Sequence, residues 1–249
     1  MSHIIFDQVS LEFVRHTNTN RSLKENFIKF LLNFGQKAFV SSNFEVLNNL
    51  NFTLNEGDKL AIIGKNGAGK TTLLRLLCGI YKPKSGKIDI KGRVSSLIAI
   101  GIGFNPELTG RENIFLTGLI SGFSYYEIKA KEQEIIEFAG IGESIDIQAK
   151  YYSTGMNMRL NFSVATHINP DILIIDELFA GGDINFIEKS SARLDEIKEK
   201  SSIFICAPHD MNYVRRYCNK VLYLADGTQR YFGEDIEYAI SKYTNDVKS

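Results

Sequence analysis

The chain of 249 residues has only three cysteines, Cys78, Cys206 and Cys218, with no Cys-x-x-Cys spacing among them. That argues against a disulfide framework and a thiolate zinc site, and fits a reducing compartment. There is no surplus of charge, since 29 Lys and Arg face 29 Asp and Glu. Nucleic acid is therefore not expected as a partner, and any affinity for polyanions must come from a local site. No apolar run reaches the about twenty residues of a membrane span. The longest, around Leu97 to Phe104, is broken by Gly101 and Gly103. The start, MSHIIFDQVS, has no basic stretch followed by an apolar one, so no signal peptide is expected. Repeats and low-complexity tracts are also missing. What remains is 44% hydrophobic and 23% charged, the balance of an ordinary globular chain.

Periodicity divides the chain. Residues 3–14 read as a strand, and residues 46–54 alternate so that Val46, Leu50, Phe52 and Leu54 share a face. Between them, Leu23, Phe27, Phe30, Leu31 and Phe34 line one face of a helix. That face either packs on its own domain or meets a membrane protein or bilayer surface. A short apolar run at 59–63 ends in a glycine-rich loop, and continuous apolar runs at 171–176 and 202–206 have the look of central parallel strands buried on both faces. Strands are also expected at 87–90 and 94–100, helices over much of 112–166, and a hairpin around Asp226-Gly227. Strands alternating with helices indicate an α/β fold with a parallel sheet.

One motif carries chemistry. Gly64-Lys65-Asn66-Gly67-Ala68-Gly69-Lys70-Thr71, followed by Thr72, matches G-x-x-x-x-G-K-[ST] between a strand and a helix. Glycines let successive N–H groups curl around phosphate oxygens, and the following helix adds its positive end. Lys70 reaches the β- and γ-phosphates, and the Thr71 hydroxyl ligates Mg²⁺. A second acidic element belongs beside such a loop, and the strand ending in Asp176-Glu177 supplies it. Asp176 would hold the metal, and Glu177 would orient or deprotonate the attacking water. His209 follows a third strand and is placed at the γ-phosphate. Ser153 reads as the N-cap of a further helix, and Gly155 permits close approach of an anion, here ATP held by another copy.

In this order the motifs resemble the nucleotide-binding subunit of ABC transporters, over nearly the whole chain. Gly64–Thr71 stands as the phosphate loop and Tyr152–Met156 as the signature. Asp176-Glu177 is the acidic strand end, Asp183 the D-loop aspartate and His209 the switch histidine. The resemblance implies a P-loop NTPase of ABC type: a core with a parallel sheet, a small antiparallel β part and a helical subdomain at about 105–168. It implies a single ATP-binding domain over 1–249 that hydrolyses ATP with Mg²⁺ as a head-to-tail homodimer. The partners implied are integral membrane permease subunits at the cytoplasmic face of the inner membrane. An aromatic stacks on adenine in this family; Phe13 is the candidate and Phe44 the runner-up.

Departures narrow the branch. Thr154 and Met156 replace the usual Gly and Gln, and Ile100-Gly101-Ile102-Gly103-Phe104 stands where a glutamine is usual. With the insert at 15–43 and the segment Asn105–Asn113, these resemble exporters of lipid-linked polysaccharide: O-antigen of lipopolysaccharide, capsule or teichoic acid. Some relatives add a C-terminal carbohydrate-binding domain; with the last residue at Ser249, none is expected here. Two other readings stand beside this one. A soluble ABC ATPase would usually need two modules or a long insertion, and a GTPase would need N-K-x-D, where Asn219-Lys220 is followed by Val221-Leu222.

Overall fold

The computed structural model describes residues 1–16, 41–97, 104–168, 170–176 and 184–248. The aromatic-faced segment at 21–34 and residues 98–103 lie outside them. Nine strands of the described residues, numbered β1 (His3–His16), β2 (Ser41–Asn55), β3 (Lys59–Ile63), β4 (Ser85–Lys91), β5 (Val94–Ser96), β6 (Ile172–Asp176), β7 (Ile203–Ala207), β8 (Lys220–Ala225) and β9 (Thr228–Gly233), form one sheet in the order β4-β1-β2-β9-β8-β3-β7-β6-β5. Its centre is parallel: β3 (Lys59–Ile63) lies between β7 (Ile203–Ala207) and β8 (Lys220–Ala225), with β6 (Ile172–Asp176) and β5 (Val94–Ser96) beyond β7. These are the continuous apolar runs, and they read so because both faces are covered. Alternate residues go to opposite sides. Leu60, Ile62, Ile172, Ile174, Ile203 and Ile205 enter one buried cluster. Ala61, Ile63, Leu173, Ile175, Phe204 and Cys206 enter another.

The other end of the sheet is antiparallel. β1 (His3–His16) pairs with β2 (Ser41–Asn55) and with β4 (Ser85–Lys91), and β2 joins β9 (Thr228–Gly233) through Asn48 opposite Thr228. Here the expected alternation fails at one point. Leu50, Phe52 and Leu54 are buried as expected, yet Leu47 rather than Val46 is the fully buried residue before them. Asn49 takes a left-handed backbone (φ 48°), and the pairing with β1 shifts register around it. One extra residue reverses the parity of the strand. The Ser10 hydroxyl accepts the Asn49 N–H at 2.9 Å and holds the irregularity in place.

Helix α1 (Lys70–Leu77) follows β3 and buries Leu73, Leu74, Leu76 and Leu77 in the cluster that joins Leu60 and Ile62 of the parallel part to Leu47 and Phe52 of the antiparallel part. Three helices, α2 (Gly110–Ile120), α3 (Tyr125–Ala139) and α4 (Thr154–His167), enclose a third cluster around Ile114, Ile128, Ile135, Leu160 and Val164. A side chain on Gly118 would reach within 2.7 Å of Ile128, so the glycine is what lets α2 and α3 approach. Phe162 leaves α4 on its other side and enters the sheet's cluster, so α4 is bound to both parts. Truncating Phe162 to Ala would cost about 3–5 kcal/mol. Helices α5 (Ile184–Lys200), α6 (Met211–Tyr217) and α7 (Ile236–Lys248) complete the described chain.

Candidate nucleotide-binding site

The segment Gly64–Gly69 leaves the end of a buried strand and turns directly into α1. A side chain on Gly64 would collide with the Leu224 carbonyl. Gly69 has φ 102°, and a side chain there would press on Leu47 at 2.8 Å. Both glycines are demanded by geometry, and together they seat the loop on β8 and β2. The loop is closed by the Ala68 N–H donating to the Lys65 carbonyl at 3.1 Å and braced by the Gly227 N–H donating to the Ala68 carbonyl, also at 3.1 Å. Gly227 was legible in the sequence only as a hairpin turn; its Asp-Gly pair gave no sign that the turn supports the phosphate loop.

The cap of α1 is Gly69, no side chain caps its first turn, and no acidic residue lies there. Its N–H groups and positive dipole end therefore face the loop's concavity without a negative group from the same helix. The Lys70 ammonium bends back to donate to the carbonyls of Gly64 at 2.6 Å and Lys65 at 3.2 Å. Thr71 is exposed and Thr72 half-buried in the same turn. Lys65, Asn66 and Gly67 are exposed at the loop's tip. A cavity of about 570 Å³ adjoins Lys65–Ala68 on the side of Tyr223, Arg230 and α7.

Strand register brings the remaining groups to the same edge. Asp176 lies opposite Ala207, two residues before His209, and β7 is the direct neighbour of β3. Neighbouring strands are about 4.8 Å apart, so the ends of β6, β7 and β3 fall within a triphosphate's reach. His209 is exposed, and the next residue, Asp210, accepts the Asn212 N–H at 2.8 Å and caps α6. The Asp176 side chain, Glu177 and Asp183 lie outside the described residues. The sulfurs of Cys206 and Cys218 lie 3.7 Å apart, and the Cys206 thiol also donates to the Leu60 carbonyl at 3.7 Å.

Ser153 caps α4 by accepting the Met156 N–H at 3.2 Å. Among the described residues, a side chain on Gly155 would meet only the Ser153 hydroxyl, 3.9 Å away, so none of them requires a glycine there. Tyr152, where the family usually has leucine, is buried and donates its hydroxyl to the Ser144 carbonyl at 2.5 Å; burial pushes that hydroxyl's pKa up. Phe13 lies opposite Phe44 across β1 and β2 and is 38% exposed, against 64% for Phe44. Its ring meets Tyr81 edge-on at 5.1 Å. Among the described residues no helix is long and apolar enough to cross a membrane.

Residues 47–180 match the sequence profile of the ABC transporter family. The chain is 38% identical over 229 residues to the O-antigen export system ATP-binding protein RfbE of Yersinia enterocolitica, covering 91% of this chain and 96% of that protein. It is 39% identical to the O-antigen export system ATP-binding protein RfbB of Myxococcus xanthus, covering 95% of this chain but 54% of that longer protein. It is 42% identical to the teichoic acids export ATP-binding protein TagH of Bacillus anthracis, over 81% of this chain and 36% of that one. In three dimensions it superposes on the ATP-binding subunit of an ABC transporter with a TM-score of 0.70 at 20% identity, covering 99% of both chains. A dimeric ATP-binding cassette, MJ0796, solved after hydrolysis with ADP and Pi, gives 0.63 at 21% identity over 93% of this chain and 98% of that one. These two share the fold. With a family profile matching residues 47–180 and the Yersinia relative aligned over 96% of its length, the chain belongs to the ABC transporter family, as one of its ATPase subunits.

Proposed function

We propose that this chain powers export of a lipid-linked polysaccharide, of O-antigen, capsule or teichoic acid type, from the cytoplasmic face of the inner membrane. The observation that carries this reading is the alignment with the Yersinia enterocolitica export protein over 96% of its length. The partners are integral membrane permease subunits and a second copy of the chain. On this reading residues 1–249 form a single ABC domain whose helical subdomain spans about 105–168.

The residues fit ATP with Mg²⁺. The loop has no room for side chains at Gly64 and Gly69, and α1 leaves its N-terminal donors without a side-chain cap. Thr71 and Asp176 are hard oxygen donors of the kind Mg²⁺ takes, at the first turn of α1 and the end of β6. Magnesium, when bound, offsets part of the charge on the β- and γ-phosphates. The amides of Lys65 to Thr72 hold the phosphates. Lys70 exchanges the carbonyls of Gly64 and Lys65 for phosphate oxygens and stabilises charge as the γ-phosphoryl departs. Phe13 stacks on the base. Ser153 and Gly155 of each copy contact the γ-phosphate held by the other, with Asp183 at the same junction. Glu177 orients the attacking water and takes its proton, and His209 holds the γ-phosphate.

Glu177→Gln tests the chemistry. It should retain ATP binding, lose turnover and accumulate a closed dimer on size-exclusion chromatography with ATP; undiminished hydrolysis would refute the assignment. The same variant in the source cell tests the cargo. A lipid-linked glycan should accumulate inside and the chain should copurify with a polytopic membrane protein; copurification with ribosomes or DNA instead would overturn the export reading.

A further inference from the structure

Phe13 is not an isolated ring. Leu11, two residues before it, lies opposite Leu47, the residue that a side chain on Gly69 of the phosphate loop would strike. Two residues of strand span about 7 Å, so Phe13 stands that far along β1 from the residue that faces Leu47. The segment that follows α1 comes back to this same stretch of β1. The Lys84 N–H donates to the Ser10 carbonyl at 2.8 Å, and the Lys84 ammonium pairs with Glu12. Tyr81 sets its ring at 73° to that of Phe13. The Tyr81 hydroxyl in turn accepts from Arg75, in the last turn of α1, at 3.3 Å. Tyr81 is half-buried against the main cluster, whereas Phe13 keeps more than a third of its surface open.

A lone phenylalanine at a strand margin loses rotamer freedom when a base stacks on it, and that loss subtracts from affinity. A ring already fixed edge-to-face avoids it. We propose that Tyr81 is the positioning residue of the base site: it fixes the Phe13 ring for stacking and, through Arg75, ties that ring to the helix that holds the phosphates. The inference rests on the assignment of Phe13 to the base.

The experiment measures binding of ATP and of tripolyphosphate, which has no base, to the purified chain by calorimetry. Phe13→Ala should weaken ATP by about tenfold and leave tripolyphosphate within about twofold, the usual worth of one base–aromatic stack. Tyr81→Ala should weaken ATP by about threefold or more with the same selectivity, and Tyr81→Phe, which keeps the ring, should restore most of it. Added to Phe13→Ala, Tyr81→Ala should have no further effect, because the two act as a unit. Tyr81→Leu keeps the bulk and carries the same expectation if the alanine variant fails to fold. An equal loss of ATP and tripolyphosphate would make Tyr81 a support of the fold only, and a further loss in the double variant would overturn the coupling. A Phe13→Ala variant with unchanged ATP affinity would instead remove the base assignment itself.

Discussion

Four helix beginnings in this chain face the same electrostatic problem and solve it in two ways. Helices α2 and α3 close their own ends. Thr109 and Ser124 accept the N–H of Glu112 and Glu127, and each glutamate reaches back to the cap residue's N–H. These are complete capping boxes, with a carboxylate on the positive end of the dipole. Helices α1 and α4 have no acidic residue in the first turn. In α1 the cap is a glycine, and in α4 Met156 stands where α2 and α3 have glutamate. Of these four, the two that supply their own anion are structural, and the two that withhold it are those assigned to phosphate. The first turns of α5 and α6 hold no acid either, so it is the open end together with its place beside the phosphate loop or the signature that marks a site.

The largest test breaks the open end itself. Lys70→Ala should lower ATP turnover by about a hundredfold or more, the usual loss for one preorganised charge, while circular dichroism stays unchanged. The next converts α4 into the closed kind. Met156→Glu completes the Ser153-x-x-Glu pattern and puts a carboxylate where the other copy's γ-phosphate would sit. Hydrolysis should fall by about tenfold or more, while the unfolding midpoint moves little, because lost packing of Met156 on the helical cluster offsets the better cap. If hydrolysis is unaffected, α4 does not meet a phosphate. The reverse control is Thr109→Ala. It should cost about 1 kcal/mol in urea unfolding and leave turnover as it was.

How much of this was legible beforehand follows from the range of each interaction. The runs at 171–176 and 202–206 are unbroken because both sheet faces are covered, so those strands could be read and their ends located. The phosphate loop could be read because its glycines, Lys70 and Thr71 stand at fixed spacing in one continuous segment between a strand and a helix. Asn49 could not: an asparagine in left-handed conformation inside a strand looks like any polar residue, and the parity change at Leu47 depends on the Ser10 hydroxyl from another strand. Tyr81 was missed for the same reason. Its contact with Phe13 spans β2, β3 and α1, and nothing within a few residues of Tyr81 announces it. The absence of acid in the first turns of α1 and α4 was visible in the residues themselves, but it becomes informative only beside the filled caps of α2 and α3.

The smallest expected effect sharpens the closed side of the comparison. The Glu127 carboxylate accepts the Ser124 N–H and hydroxyl and pairs with Arg93 at 2.7 Å. The Ser124 bonds first, and Arg93 after them, hold its pKa down from 4.5 to about 2. A carboxylate whose pKa is lower in the folded than in the unfolded chain stabilises the fold above the unfolded value, and that contribution is lost as pH falls toward the folded one. Between pH 5 and pH 2 the native chain should therefore lose a little stability through this group. Glu127→Gln keeps a side chain able to accept from the cap but has no charge to titrate. Thermal unfolding at pH 7 and pH 3 should show a slightly smaller drop for the variant, with ATP turnover at pH 7 unchanged. Glu127 is exposed, so solvent screens the pair with Arg93, and added salt should shrink the difference further. A variant that lost turnover at pH 7 would mean that the beginning of α3 serves the site as well as the scaffold, and the division between the two kinds of helix end would no longer hold.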